Sequence, residues 1–106
     1  MNSEINNIYN VCKHIAENKH DTEINVLFVE ELSELIKPVM KLERWNYGDI
    51  FLRCEYEDII NNLYEELADV IIMMLQFIHK NNIECEKLLN KMCEKIIRYY
   101  ETISDK

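Results

Sequence analysis

Gly48 and Pro38 are the only glycine and the only proline in this chain of 106 residues. Such scarcity excludes a turn-rich β-sandwich, and it excludes G-x-G-x-x-G and P-loop nucleotide sites, which need at least two glycines. Basic residues are also few, with 12 Lys and Arg against 20 Asp and Glu and a net charge of -8. A nucleic-acid polymer is therefore not an expected partner, because phosphate contacts depend on neutralisation by basic side chains. No apolar run approaches the roughly 20 residues that span a bilayer, so no membrane partner is expected. The first ten residues carry no basic and apolar leader pattern, and the expectation is a cytoplasmic protein.

The four cysteines, Cys12, Cys54, Cys85 and Cys93, form no C-x-x-C, and the expectation is reduced, packed thiols. His14, His20 and His79 show no H-E-x-x-H spacing, and they are expected at the surface or at helix ends.

What is present is helical periodicity. With 48% hydrophobic and 30% charged residues, the chain has the composition of a folded domain, and its length suits a single domain over 1–106. Apolar spacing predicts an all-α, four-helix bundle-like fold with helices near 3–18, 22–42, 57–80 and 84–103. Ser3 is a candidate cap for the first helix. Pro38 lies inside the second apolar pattern and predicts a kink or an early end, because it cannot donate to the carbonyl of Glu34. The segment from Arg44 to Tyr56, with the only Trp, Trp45, reads as a connection. The third helix is the most apolar and is expected at the centre, ending at Asn81 and Asn82, residues suited to a left-handed cap.

Two acidic clusters interrupt apolar faces: Glu30-Glu31-Leu-Ser-Glu34 on the second helix and Glu65-Glu66-Leu-Ala-Asp69 on the third. Residues three apart are neighbours on a helix, so Glu31 with Glu34, and Glu66 with Asp69, each present two carboxylates side by side. Leu27, Leu35, Leu67 and Val70 flank them, which puts the acids at the edge of the buried stripe. Like charges there are costly unless neutralised. All-oxygen donors select a hard divalent ion, Mg²⁺ or Mn²⁺, and Mg²⁺ commonly also holds substrate phosphates. The competing reading is a solvated acidic face on a non-catalytic oligomeric bundle, an interaction or regulatory module. A carboxylate di-iron oxidase is disfavoured, since it needs Glu-x-x-His on two helices. A phosphatase releasing orthophosphate differs only in its products.

The order E-E-x-x-E, loop, E-E-L-A-D-V and a following apolar run resembles the MazG-like all-alpha nucleoside triphosphate pyrophosphohydrolases. Their E-x-x-E and E-x-x-D signature is matched by Glu31, Glu34, Glu66 and Asp69, and the resemblance extends over roughly Val26 to Arg98. It implies Mg²⁺-dependent hydrolysis of a nucleoside triphosphate to the monophosphate and pyrophosphate, with those four acids as metal ligands. Glu30 is a further acid that would activate water or orient a ligand. Phosphates also need cations, and Lys91 and Arg98, on one face of the fourth helix, are the candidates, with Lys95 beside them. Trp45 is the candidate platform for a base. Apolar surface on more than one side of the third helix predicts a homodimer or tetramer, and the resemblance points the same way.

Overall fold

Three short breaks separate four helices. A computed structural model describes residues 2–104, in which α1 spans Asn2–Glu17, α2 Asp21–Asn46, α3 Tyr56–Lys80 and α4 Cys85–Ser104. No strand occurs among the described residues, so the all-α expectation holds. No helix among them is long and apolar enough to cross a membrane.

Both long helices end in the same way. After α2, Tyr47 caps and Gly48 turns to φ +71, while the amides of Gly48 and Asp49 bond back to the carbonyls of Trp45 (2.9 Å) and Arg44 (3.0 Å). After α3, Asn82 takes φ 55, and the amides of Asn82 and Ile83 bond to His79 (3.2 Å) and Ile78 (3.0 Å). These are paired Schellman closures, which need a left-handed residue just past the cap and so draw Gly or Asn. The first is reinforced by Arg44 Nε donating to Asp49 Oδ2 at 2.8 Å and by the Phe51 amide donating to Asp49 Oδ1 at 2.9 Å. The Arg44 hydrogen bond above all, then the Phe51 amide, hold the Asp49 carboxyl below its ordinary range.

Several boundaries differ from expectation. Pro38 does not end α2, which runs on to Asn46; Pro38 is fully buried, and packing of its ring offsets the missing amide. Arg44 and Trp45 consequently lie in the last turn of α2, and Tyr56 opens α3. Ser3 falls inside α1, which already includes Asn2, so it is not the cap. The thiols are all free, as expected, but only Cys12 is buried, and Cys85 and Cys93 are exposed.

Asn25 meets Asn81, Phe28 stacks at a tilt on Phe77 with centroids 5.0 Å apart, and Trp45 meets Tyr56 at 5.7 Å. That register makes α2 and α3 antiparallel. The packed core lies where α1 joins them: Ala16, Ile24 and Met73 are buried, with Leu27, Phe28 and Phe77 against them. Lys19 donates to the buried Gln76 at 3.3 Å, and His79 faces Glu17 at 3.5 Å and Lys80 faces Asp21 at 3.8 Å. The α1–α2 junction is thereby tied to the end of α3.

α4 departs furthest from the expected bundle. Every one of its residues is exposed, including the stripe Leu89, Met92, Ile96, Ile97, Tyr100 and Ile103. The radius of gyration is 17.4 Å, against about 13 Å for a compact domain of roughly 100 residues.

Candidate metal centre

The antiparallel register brings the middle of α2 against the middle of α3, and this places the two acidic clusters face to face. One carboxylate oxygen from each of Glu31, Glu34 and Glu66 lies within 4.8 Å of the others. Glu31 and Glu66 are half-buried and Glu34 is exposed. Asp69 and Glu30 are exposed and lie outside that tight set, but both are near enough to act on Glu31 electrostatically.

The local chemistry is that of uncompensated charge. Glu31 Oε2 and Glu66 Oε2 are each buried with no hydrogen-bond partner. Desolvation is the main reason that both carboxyls are pushed above their ordinary range. For Glu31, Glu34, Asp69, Glu66 and Glu30 add repulsion, in that order; for Glu66, it comes from Glu34, Asp69 and Glu65. A buried anion without a donor is a costly arrangement in a folded chain. Three convergent carboxylates with two orphaned oxygens match the donor set of a hard divalent cation, which would supply the missing positive charge.

The chain is matched over residues 18–103 by the family model of the MazG nucleotide pyrophosphohydrolase domain. The chain belongs to the MazG family. No curated protein and no solved structure matches it. The resemblance read from the two acidic motifs is thus borne out at the level of the family, and the MazG match covers both motifs and all of the α2–α3 pair.

The other residues singled out in this MazG domain are dispersed. Trp45 sits three turns beyond Glu34 on α2, which at 1.5 Å per residue is about 16 Å along the axis, and it packs on Tyr56. Lys91 is on the exposed α4 and pairs with Glu94 at 3.1 Å. Arg98 lines a shallow hollow with Lys95, Tyr99 and Thr102, and its carbonyl accepts from Thr102 at 2.9 Å. Within one chain, the structure brings Glu31, Glu34 and Glu66 together and leaves these three side chains elsewhere.

Beside the acids is a hollow of about 480 Å³ lined by Ser33, Glu34, Lys37, Pro38, Lys41, Asn62 and Glu66. Sequence reading passed over Lys37, Lys41 and Asn62. The signal was there: Lys37 and Lys41 stand three and seven residues after Glu34, and Asn62 four before Glu66, spacings that keep them on the faces carrying those acids.

Proposed function

We propose that this chain is a divalent-metal-dependent nucleoside triphosphate pyrophosphohydrolase that converts a triphosphate to the monophosphate and pyrophosphate. The observation carrying this reading is the pair of orphaned carboxylate oxygens on Glu31 and Glu66, converging with Glu34 between helices that the MazG family model matches. Glu31, Glu34, Glu66 and Asp69 would hold Mg²⁺, with Mn²⁺ the alternative. A bound ion in such a site supplies charge neutralisation for phosphate oxygens and a more acidic water. Glu34 and Asp69, the exposed members, face the side from which a substrate arrives, while Glu31 and Glu66 anchor the site in the helix interface. Glu30, next to Glu31 and exposed, would take the proton of the attacking water or orient a ligand.

A homodimer, or a dimer of dimers, completes the reading. Supporting it are the exposed apolar stripe of α4, the extended radius, and an apolar groove of about 330 Å³ between α1 and α3 lined by Ile8, Val11, Cys12, Ile15 and Ile72. Exposed apolar surface on that scale marks an interface. In such an assembly, Lys91 and Arg98 would approach the acids of a second copy, and Trp45 would offer its ring to a base from across the interface.

Pyrophosphate release from nucleoside triphosphates in Mg²⁺, followed alongside thermal melting, tests the proposal. Mg²⁺ with a non-hydrolysable triphosphate is expected to raise the melting temperature by mass action. A non-catalytic bundle would release nothing and melt unchanged.

A further inference from the structure

The hollow next to the acidic cluster is lined by charges of both signs. From α2 it takes Glu34, Lys37 and Lys41, and from α3 Asn62 and Glu66. Among the described residues, neither lysine has an ion-pair partner within 4.0 Å, although acids outnumber bases by 20 to 12 and Glu34 is only one turn away. Two neighbouring ammonium groups at i and i+4 repel one another, and an anion held between them relieves that repulsion.

We infer that Lys37 and Lys41 bind the terminal phosphates of the substrate, and the same phosphates once they have left as pyrophosphate. This deepens the reading given under Proposed function and rests on it. Lys37 and Lys41 lie about 4.5 and 10.5 Å further along the α2 axis than Glu34, and their flexible stems extend that reach. A polyphosphate with one end at the carboxylate-bound cation therefore has its next phosphates directed along α2 into the hollow, where two point charges meet them. Asn62, half-buried one turn before Glu66, adds amide donors on the α3 side. The end of the substrate that enters the hollow is thus the phosphate tail, and the nucleoside is left towards the open side.

The test uses the full chain, with inorganic pyrophosphate and Mn²⁺ as probes in calorimetry, on wild type, Lys37→Gln, Lys41→Gln, the double variant, and Glu66→Gln. Both lysines are exposed, so the variants should fold, and unchanged helical circular dichroism checks this. Pyrophosphate affinity in the presence of Mn²⁺ is expected to fall about tenfold for either single variant, as for loss of one charged hydrogen bond, and further for the double. Mn²⁺ alone should bind all three lysine variants at least as well as wild type, and Lys→Arg replacements should restore pyrophosphate binding. If the double variant binds pyrophosphate within twofold of wild type while Glu66→Gln abolishes Mn²⁺ binding, the lysine assignment is wrong and the acidic site stands. If Glu66→Gln binds Mn²⁺ as wild type does, the metal site itself is wrong and the lysine assignment falls with it.

Discussion

Glu31 on α2 and Glu66 on α3 each bury one carboxylate oxygen with no donor to meet it, and both oxygens belong to the same acidic junction. Neither helix alone creates this situation. It arises because the antiparallel packing sets two E-x-x-(E/D) motifs opposite each other, and it makes the site a local source of instability in the metal-free chain.

Glu66→Gln should lower turnover more than about a hundredfold, exceeding the loss typical of groups that only support a metal ligand, while raising the melting temperature of the metal-free protein. The gain follows from removing a buried, unpaired anion. Steady-state kinetics and melting curves on one preparation check both halves; a variant that is less active and also less stable would point to a folding defect.

A pH dependence follows from the same residues. Glu31 and Glu66 have carboxyls raised above their ordinary range, so between the unfolded value, about 4.3, and the raised folded value the native state binds more protons than the unfolded state. Metal-free stability must then decrease as pH rises through that window. Asp49 has the opposite sign, being held low; its contribution is present above about pH 3.9 and disappears as pH falls through its folded value. Melting curves from pH 4.5 to 7 should slope downwards in wild type and flatten in Glu31→Gln/Glu66→Gln. Saturating Mg²⁺ should flatten the wild-type curve too.

Gly48 supplies a prediction independent of function. A Cβ at this position meets nothing within 4 Å, so the cost of Gly48→Ala is conformational and amounts to about 1 kcal/mol for a left-handed alanine. Chemical denaturation should show that loss, and Gly48→Asn should recover much of it, as Asn82 already does at the end of α3.

The assembly is tested at α4. Ile96 is 61% exposed, and Ile96→Asp on a solvated helix would change stability by no more than about 0.5 kcal/mol. If the stripe is an interface, light scattering should report a shift from dimer to monomer at equal concentration, with loss of stability that increases on dilution.

The parts of this molecule that could be read in advance were those set by local chemistry. Asn82 closes α3 because the left-handed position just past the cap selects for Asn, a preference visible in the sequence. The acids could be read because carboxylates at i and i+3 inside an apolar stripe violate the pattern around them. Ile24 and Ile59 are buried but do not stand out in the sequence, since periodicity identifies a face without saying which turns meet a neighbour. Pro38 does not end α2 for the same reason: the penalty of an interior proline is local, while the packing that offsets it is tertiary. Lys37 and Lys41 were legible as a face of α2, but their meaning depends on Asn62 and Glu66 from α3. The exposure of α4 lies furthest from the sequence, because an amphipathic stripe looks identical whether its partner is in the same chain or in another.

The decisive measurement is ³¹P NMR of the products when wild type and Glu66→Gln are each incubated with Mg²⁺ and a panel of ribo- and deoxyribonucleoside triphosphates. Wild type is expected to convert at least one triphosphate to monophosphate and pyrophosphate, and Glu66→Gln none at a comparable rate. Orthophosphate as the product, or equal turnover by the variant, would contradict the pyrophosphohydrolase assignment.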